Sequence, residues 1–359
     1  MSVTQIYHIV MDAMQQLRPD ERITRLRVSV WIIVGIYLKQ AVHLRKIAGK
    51  IPGRATTNSK IRRVSRFLDN SKVNVREWYA PQARALLQAA AEARGEVRLL
   101  VDGTKVSFGH QLLMVAVAYR RRALPIAWTW VNSARGHSSA HKQQALLAYV
   151  KGLLPADTQV ILVGDSEFGS VAVLKQLEMW QWGYVLRQKG NTRVQLSDHP
   201  RWRRFDSLVA KGDRPRWMPE AHLTRQHSHA VPLVAWWKAG EKEPWLLATN
   251  LSSPRDALRA YKRRMWIEEM FGDMKGHGFD LESSHLRHFM RLSRLTLLVA
   301  ILYVWLVTRG SQVIKWGQRR LVDRPDRMDL SVFHIGLCMF ERYISNQTGF
   351  SIRWVPYFS

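Results

Sequence analysis

"VRLLVDG" (residues 97–103) and "QVILVGD" (residues 159–165) carry one local design twice. In each, an apolar run leads to an aspartate beside a glycine: Asp102 before Gly103, and Asp165 after Gly164. Runs this short and this apolar predict strands buried on both faces. Open α/β sheets collect functional groups at the carboxyl ends of such strands. If the two strands are parallel neighbours, Asp102 and Asp165 meet at one rim, where two carboxylates repel unless a cation lies between them. Ligation by carboxylates, waters and a substrate phosphate is the preference of Mg²⁺ or Mn²⁺. The plainer reading is a pair of turn or cap aspartates.

The surrounding sequence predicts the sheet these strands belong to. "LLMVAVAYRRR" (112–122) and "LPIAWTWVN" (124–132) are strand candidates with a turn at Ala123 to Pro125. Helix candidates "SAHKQQALLAYVKGLL" (139–154) and "SVAVLKQLEMWQ" (170–181) flank the second aspartate strand, and "YVLRQKG" (184–190) follows as a further strand. Three strands, helix, strand, helix, strand predicts an α/β fold: a mixed sheet with helices on its faces. Residues 191–250 break that alternation. They hold Trp202, Trp217, Trp236, Trp237 and Trp245, with strand-like "VPLVAWW" and "WLLATN", and predict a β-rich insertion. Residues 1–92 read as helical. Within them "HLRKIAGKI", the breaker "PGRATTN" and "SKIRRVSRFL" fit a helix-turn-helix, with Arg62, Arg63 and Arg66 near one face of its second helix. A solvated basic helix fits the same residues. The expected organisation is a helical domain at 1–92, a core at 93–310 and a basic, aromatic region at 311–359.

Composition narrows the partner. The 359 residues carry a formal net charge of +27, while the 47% apolar content is that of a globular chain. Basic charge is spread along most of the sequence, so a polyanion is expected, nucleic acid first. An anionic membrane surface is the alternative. The apolar runs "VSVWIIVGIYL" from Val28 and "LTLLVAILYVWLV" from Leu295 fall short of the roughly 18 residues that span a bilayer. They predict core helices, the second over about 290–309, and no membrane partner. One cysteine, Cys338, excludes an intrachain disulfide framework and a Cys-rich zinc site. With an N-terminus lacking the basic start and apolar core of a signal peptide, it predicts a cytoplasmic protein.

A third carboxylate comes from "SSPRDALRAYKRRMWIEEMFGDMKGHG" (252–278). Ser253 as cap and Pro254 at the first helical position open a helix that Gly276 and Gly278 close. Its length would be about 22 residues, or roughly 33 Å. Taking Tyr261 as origin, Arg264 falls near about 300°, Glu268 about 340° and Lys275 about 320° around this helix, with Glu269 on another side at about 80°. A carboxylate would thus share one stripe with three groups that bind phosphate oxygens. Asp102, Asp165 and Glu268 with Tyr261, Arg264 and Lys275 point to two-metal phosphoryl transfer, two Mg²⁺ (or Mn²⁺) ions per site. Glu167 in "GDSEFG" is a rival ligand that leaves the stripe unexplained. His137 and His141 have the spacing of a zinc pair but no HExxH glutamate between them.

"VDGT" with Asp102, "GDSEFG" with Asp165, and the series Tyr261, Arg264, Glu268, Lys275 resemble the DDE transposases of bacterial insertion sequences. More narrowly, the spacing of the last four resembles the cut-and-paste family with the Tyr-Arg-Glu-Lys signature, insertion-sequence family four. The resemblance covers about residues 95–305. It implies an RNase H-like core carrying a β-rich insertion, with Asp102, Asp165 and Glu268 as the metal-binding triad. It also implies cleavage at the element ends, a hairpin intermediate that is reopened, and joining of 3′-hydroxyl ends to target DNA. The partners it implies are double-stranded DNA, as terminal inverted repeats and target, and a second copy of the chain in a synaptic complex, in a bacterial, nucleoid-associated setting. Tyr261, Arg264 and Lys275 would hold phosphates. Trp245, which lies 16 residues before Tyr261 in the sequence, matches the tryptophan that stacks on a flipped base, although a core tryptophan in a sheet fits it too. One departure is that Met265 follows the signature arginine, with an aromatic only at Trp266. A structure-selective RNase H-like nuclease or resolvase, and a catalytically silent DNA-binding protein derived from a transposase, are the competing readings.

Overall fold

The structure is a computed structural model that describes residues 1–132 and 138–358. Its N-terminal part is helical: α1 (Val3–Leu17), α2 (Ile23–Lys39), α3 (Leu44–Ala48), α4 (Thr57–Asp69) and α5 (Val75–Arg94). Thr56 caps α4 by accepting the Ser59 N–H at 3.2 Å, where the sequence places a Thr/Asn cap.

The sheet follows as β1 (Glu96–Val106), β2 (His110–Tyr119) and β3 (Arg122–Asn132), then α6 (Ala140–Lys151), β4 (Gln159–Gly164), α7 (Val171–Met179) and β5 (Gly183–Arg187). β2 pairs antiparallel with β1 and β3, whereas β4 is parallel to β1 and to β5. The resulting order, β3-β2-β1-β4-β5, is the RNase H-like arrangement, with helices in the β3–β4 and β4–β5 connections. Leu99, Leu100 and Val101 are all buried, which accounts for the continuous apolar run.

Two predicted features shift. β1 does not end at Gly103: it continues to Val106 against β2, and it is the parallel partner β4 that stops. The first hairpin turns at Arg120–Arg121, not at Ala123 to Pro125. Pro125 lies inside β3, where the register slips between Val115 and Ala116, so an irregularity absorbs the residue that cannot donate to the ladder.

The insertion is β-rich as expected, comprising β6 (Arg193–Leu196), β7 (His199–Arg204), β8 (Arg216–Met218), β9 (Ala221–Leu223), β10 (His229–Ala230), β11 (Leu233–Trp236) and β12 (Trp245–Thr249). It is not a separate module. β10, β9, β6 and β7 form a small sheet of their own, while β12, β11 and β8 add to β5 and bring the main sheet to eight strands.

The expected long helix is two. α8 (Pro254–Tyr261) and α9 (Met265–Met274) are joined by a 3₁₀ turn over Lys262–Arg264, and Lys275 lies just past the helical backbone. The predicted Ser253 cap and first-turn Pro254 are both present. The next helix, α10 (Phe289–Lys315), is longer than expected, and α11 (Val332–Ser345) packs along it. Among the described residues α10 is the one helix long and apolar enough to cross a membrane, and most of it is buried inside the protein. Among the described residues one large hydrophobic core runs from Ile6 in α1 to Phe340 in α11, with a small cluster of Val313, Ile335 and Met339 beside it. The boundary expected after residue 92 falls inside the last turn of α5 and the one after 310 falls within α10, and the core is continuous across both.

Candidate active site

Parallel pairing of β1 with β4 sets Val101 opposite Gly164, which places Asp102 and Asp165 side by side where β4 ends. Alternation along β1 puts Arg98, Leu100 and Asp102 on one face. Arg264, in the turn between α8 and α9, reaches Asp102 on that face: its Nη1 lies 3.4 Å from Asp102 Oδ2. The same Nη1 donates to Glu268 Oε1, four residues further along the chain. Asp102, Gly103, Thr104, Asp165, Arg264, Glu268, Phe271, Gly272 and Lys275 line one cleft of about 410 Å³.

Burial pushes the Asp102 carboxyl up to about 7, and the neighbouring Asp165 and Glu268 charges add to that. Attraction to Arg264 and the Gly103 N–H donated to Asp102 Oδ1 at 2.7 Å work against it. For Arg264, burial opposes the charge, but Tyr261, Asp102, Asp165 and Glu268 together hold the guanidinium above its usual range. It is a locked cation with carboxylates around it.

Tyr261 stands at the end of α8. Its hydroxyl is buried near the Arg187 guanidinium, and burial raises the phenol to about 12. The ring meets Trp245 edge-on at 5.0 Å between centroids, and Arg264 lies 5.8 Å over its face. Trp245 opens β12 half-buried, with Trp236 on its other side at 5.6 Å. Lys275 lines the cleft, but its ammonium donates to the Lys105 carbonyl at 2.5 Å and pairs with Glu282 at 2.9 Å. Arg62, Arg63 and Arg66 are exposed on α4, outside this cleft, and Arg63 lies over the Trp31 ring at 5.7 Å.

Other sequence candidates fall elsewhere. Glu167 Oε1 accepts from the Ser138 N–H at 2.7 Å and from the Ser138 hydroxyl at 2.5 Å, and Oε2 accepts from Gln111 at 2.8 Å. It ties the entry of α6 to β2. His141 is exposed at the start of α6, and His137 lies outside the described residues. Glu269 does not line the cleft, in keeping with its place on another side of the helix, and pairs with Arg122 at 3.2 Å.

Arg187 was missed. It ends β5, the third parallel strand, and its Nη1 lies 3.9 Å from Asp165 Oδ1 while Nη2 donates to Glu243 at 2.7 Å. The signal was available, since "YVLR" repeats the apolar-strand-then-charge design with a cation in place of the aspartate.

The donor set suits a divalent hard cation. All three carboxylates supply oxygen, and among the described residues Asp165 Oδ1 is buried with no hydrogen-bond partner, the Arg187 guanidinium standing off at 3.9 Å, a condition that a closer cation would relieve. The carboxylates are not drawn together as they stand. Among the described residues no group of three or more His, Cys, Asp or Glu side chains is gathered closely enough to hold an ion, and the guanidinium of Arg264 joins Asp102 to Glu268.

Residues 94–305 match the family model of the transposase DDE domain. The chain belongs to the DDE transposase family. That match starts just before β1 and ends within α10, so this DDE transposase carries its three candidate acidic residues inside the matched segment. No curated protein matches the chain. Among solved structures it is similar to a piggyBac transposase in a synaptic complex with hairpin DNA, studied by cryo-electron microscopy. The two share 10% identity with a TM-score of 0.47, over 99% of this chain and 83% of that one.

Proposed function

We propose that this DDE transposase works by cut-and-paste in the manner of insertion-sequence family four, cleaving transposon ends and joining their 3′-hydroxyls to target DNA. The observation that carries this reading is the cleft, in which carboxylates from two neighbouring parallel strands and from α9 face one another around Arg264. In this reading Asp102, Asp165 and Glu268 would hold two Mg²⁺ or Mn²⁺ ions, and the chemistry these would supply when bound is activation of a water or 3′-hydroxyl and stabilisation of a leaving oxygen. Arg264 exchanges its carboxylate partners for phosphate oxygens, which its planar fork suits. Arg187 and Lys275 add positive charge beside it, and Tyr261 closes the wall. One site serves both strands in turn: the 3′-oxygen freed by the first cut attacks the opposite strand, expels the flanking 3′-oxygen and closes a hairpin. Trp245 offers its ring to the base unstacked there, a contact worth roughly 1–3 kcal/mol.

The rest of the chain takes the remaining roles. Residues 1–92, through Arg62, Arg63 and Arg66 on α4, bind the terminal inverted repeats, and residues 311–359 pair two subunits in the synaptic complex. The protein acts in the cytoplasm, on the nucleoid, without a membrane partner.

Replacing Asp102 or Asp165 by Asn, or Glu268 by Gln, is expected to abolish Mg²⁺-dependent end cleavage while leaving DNA binding intact, and Glu269→Gln is the active control. Full cleavage by the Glu268→Gln protein would sink the assignment. Joining of a 3′-hydroxyl end to a target duplex separates a transposase from a resolvase. The contact of Arg264 with both Asp102 and Glu268 favours a second reading, a catalytically silent DNA-binding protein. Binding of inverted-repeat DNA by the wild-type chain, with no cleavage in Mg²⁺ or Mn²⁺, would establish that one.

A further inference from the structure

The β2–β3 hairpin closes through Arg120 and Arg121, whose φ angles are +41° and +61°. With positive φ at both central positions, the two-residue turn that pairs Tyr119 with Arg122 is of the I′ kind, a backbone that asparagine followed by glycine adopts with least strain. Two arginines are a poor choice for that backbone. Strain at a surface turn invites a functional explanation when the side chains it presents share one property. Here they do. Both arginines are exposed and line a groove of about 1010 Å³, together with Arg122, Arg319 and Arg327.

Five arginines line this groove beside two carboxylates, Glu269 and Asp329; Arg122 is paired with Glu269, and Arg319 with Asp323 at 2.6 Å. Arg122 also donates to the Arg121 carbonyl at 3.0 Å and to Asp273 at 2.7 Å, so the turn is held in place by an anchored side chain. The groove lies on the flank of α9 opposite the active cleft: Trp266 and Glu269 line the one, Arg264 and Glu268 the other. One helix, about 10 Å across, separates them.

We propose that this groove is a second binding surface for the phosphodiester backbone of duplex DNA, and that the strained Arg120–Arg121 turn presents two guanidinium groups to it. The inference rests on the chain being a DNA-handling transposase. Guanidinium forks on a broad groove match the repeating phosphates of a duplex, and the net charge of +27 favours nucleic acid over an acidic polypeptide. The duplex can be the element's own end or the target.

The test is the double variant Arg120→Asn, Arg121→Gly in the full chain, with Arg327→Gln as a second variant that leaves the turn intact. Binding is read by fluorescence anisotropy over a salt series, on a duplex carrying the terminal inverted repeat and on a random duplex of equal length. Removing one phosphate-binding arginine lowers the slope of log K against log salt by about 1, so the double variant should lower it by about 2 and Arg327→Gln by about 1. A lower slope on the repeat duplex alone assigns the groove to the element's end, and a lower slope on the random duplex assigns it to the target. The Asn-Gly turn should also raise Tm by roughly 2 °C. Unchanged slopes on both duplexes overturn the proposal, as does a fall in Tm for the double variant. Polyglutamate that competes with DNA for the wild type but not for the double variant overturns it in favour of an acidic protein partner. Cleavage of the repeat duplex by the wild type reports on the active site independently, so failure of the groove and failure of the transposase reading are told apart.

Discussion

Replacing Asp102 by Asn should stabilise the metal-free protein at neutral and alkaline pH while destroying its proposed activity. Asp102 is the most buried of the three carboxylates in the cleft. Burial first, then Asp165 and Glu268, raise its carboxyl from 3.8 to about 7 against the pull of Arg264 and the Gly103 N–H. At about 1.4 kcal/mol per tenfold change, holding this group ionised in the folded state costs on the order of 4 kcal/mol. The sign follows from linkage. A carboxyl with a raised folded-state pKa binds its proton more tightly in the native protein than in the unfolded chain. The contribution of Asp102 to wild-type stability is therefore fully present below about pH 4 and is lost as pH rises through about 7. Asparagine is neutral throughout and carries no such cost. The stability gap between variant and wild type should be small at about pH 4, open between pH 4 and 7, and approach a few kcal/mol at about pH 8. Guanidinium unfolding of both proteins in chelator, at several pH values, measures it. A variant no more stable than wild type at about pH 8, or a gap that does not move with pH, refutes the reasoning. Stability and activity moving in opposite directions is what a site built around a buried carboxylate predicts.

Two further outcomes test the frame around the site. In the crossing of α11 over α10, a Cβ at Gly336 would stand 1.9 Å from the Leu306 carbonyl oxygen, and one at Gly310 would stand 1.8 Å from that of Val332. Backbone atoms cannot rotate away, so Gly336→Ala should push the helices apart and cost about 1–3 kcal/mol or more, read as a lowered unfolding midpoint. Buried Arg294 of α10 donates to the Leu68 carbonyl at 2.8 Å and the Val73 carbonyl at 3.0 Å, tying down the end of α4. Arg294→Met leaves both acceptors unpaired, at about 1–3 kcal/mol each. Amide exchange should accelerate in α4 before it does in β1, and equal acceleration in both would contradict this anchoring role.

The parts of the fold legible in the sequence are those fixed by local pattern. β1, β4 and β5 are buried on both faces, so each appears as an uninterrupted apolar run, and the helices between them carry ordinary start and stop signals. The first hairpin misleads because its turn lacks every residue that marks one, while Pro125, which usually does, sits at an irregularity within β3. Pairing across long separations left no trace either. β12 joins β5 through Leu247 opposite Arg187, and nothing in either segment names the other. That is why the insertion read as a module and proved to be part of the main sheet. The single long helix failed by a turn of 3₁₀ geometry at residues 262–264, a change of backbone pitch that side-chain periodicity over so short a stretch does not register.

The site was legible where one element or one strand pairing decides the geometry, and obscure where three elements converge. Parallel neighbours carry Asp102 and Asp165 to one rim, and i,i+4 spacing joins Arg264 to Glu268. The helical stripe predicted that Arg264 shares a face with a carboxylate; it did not predict that the same guanidinium crosses to Asp102 on β1. That contact changes what the cleft must do. Its acidic groups are already met by protein cations, Arg264 at Asp102 and Glu268, and Arg187 at Asp165. Any divalent ion that binds Asp102 and Glu268 has to displace the Arg264 guanidinium from them, which then needs another anion, whereas Arg187 keeps Glu243 when it leaves Asp165. A phosphate backbone supplies the partner. Metal binding and DNA binding should therefore each strengthen the other through an exchange of partners at Arg264, an arginine whose role follows from standing between two sets of anions.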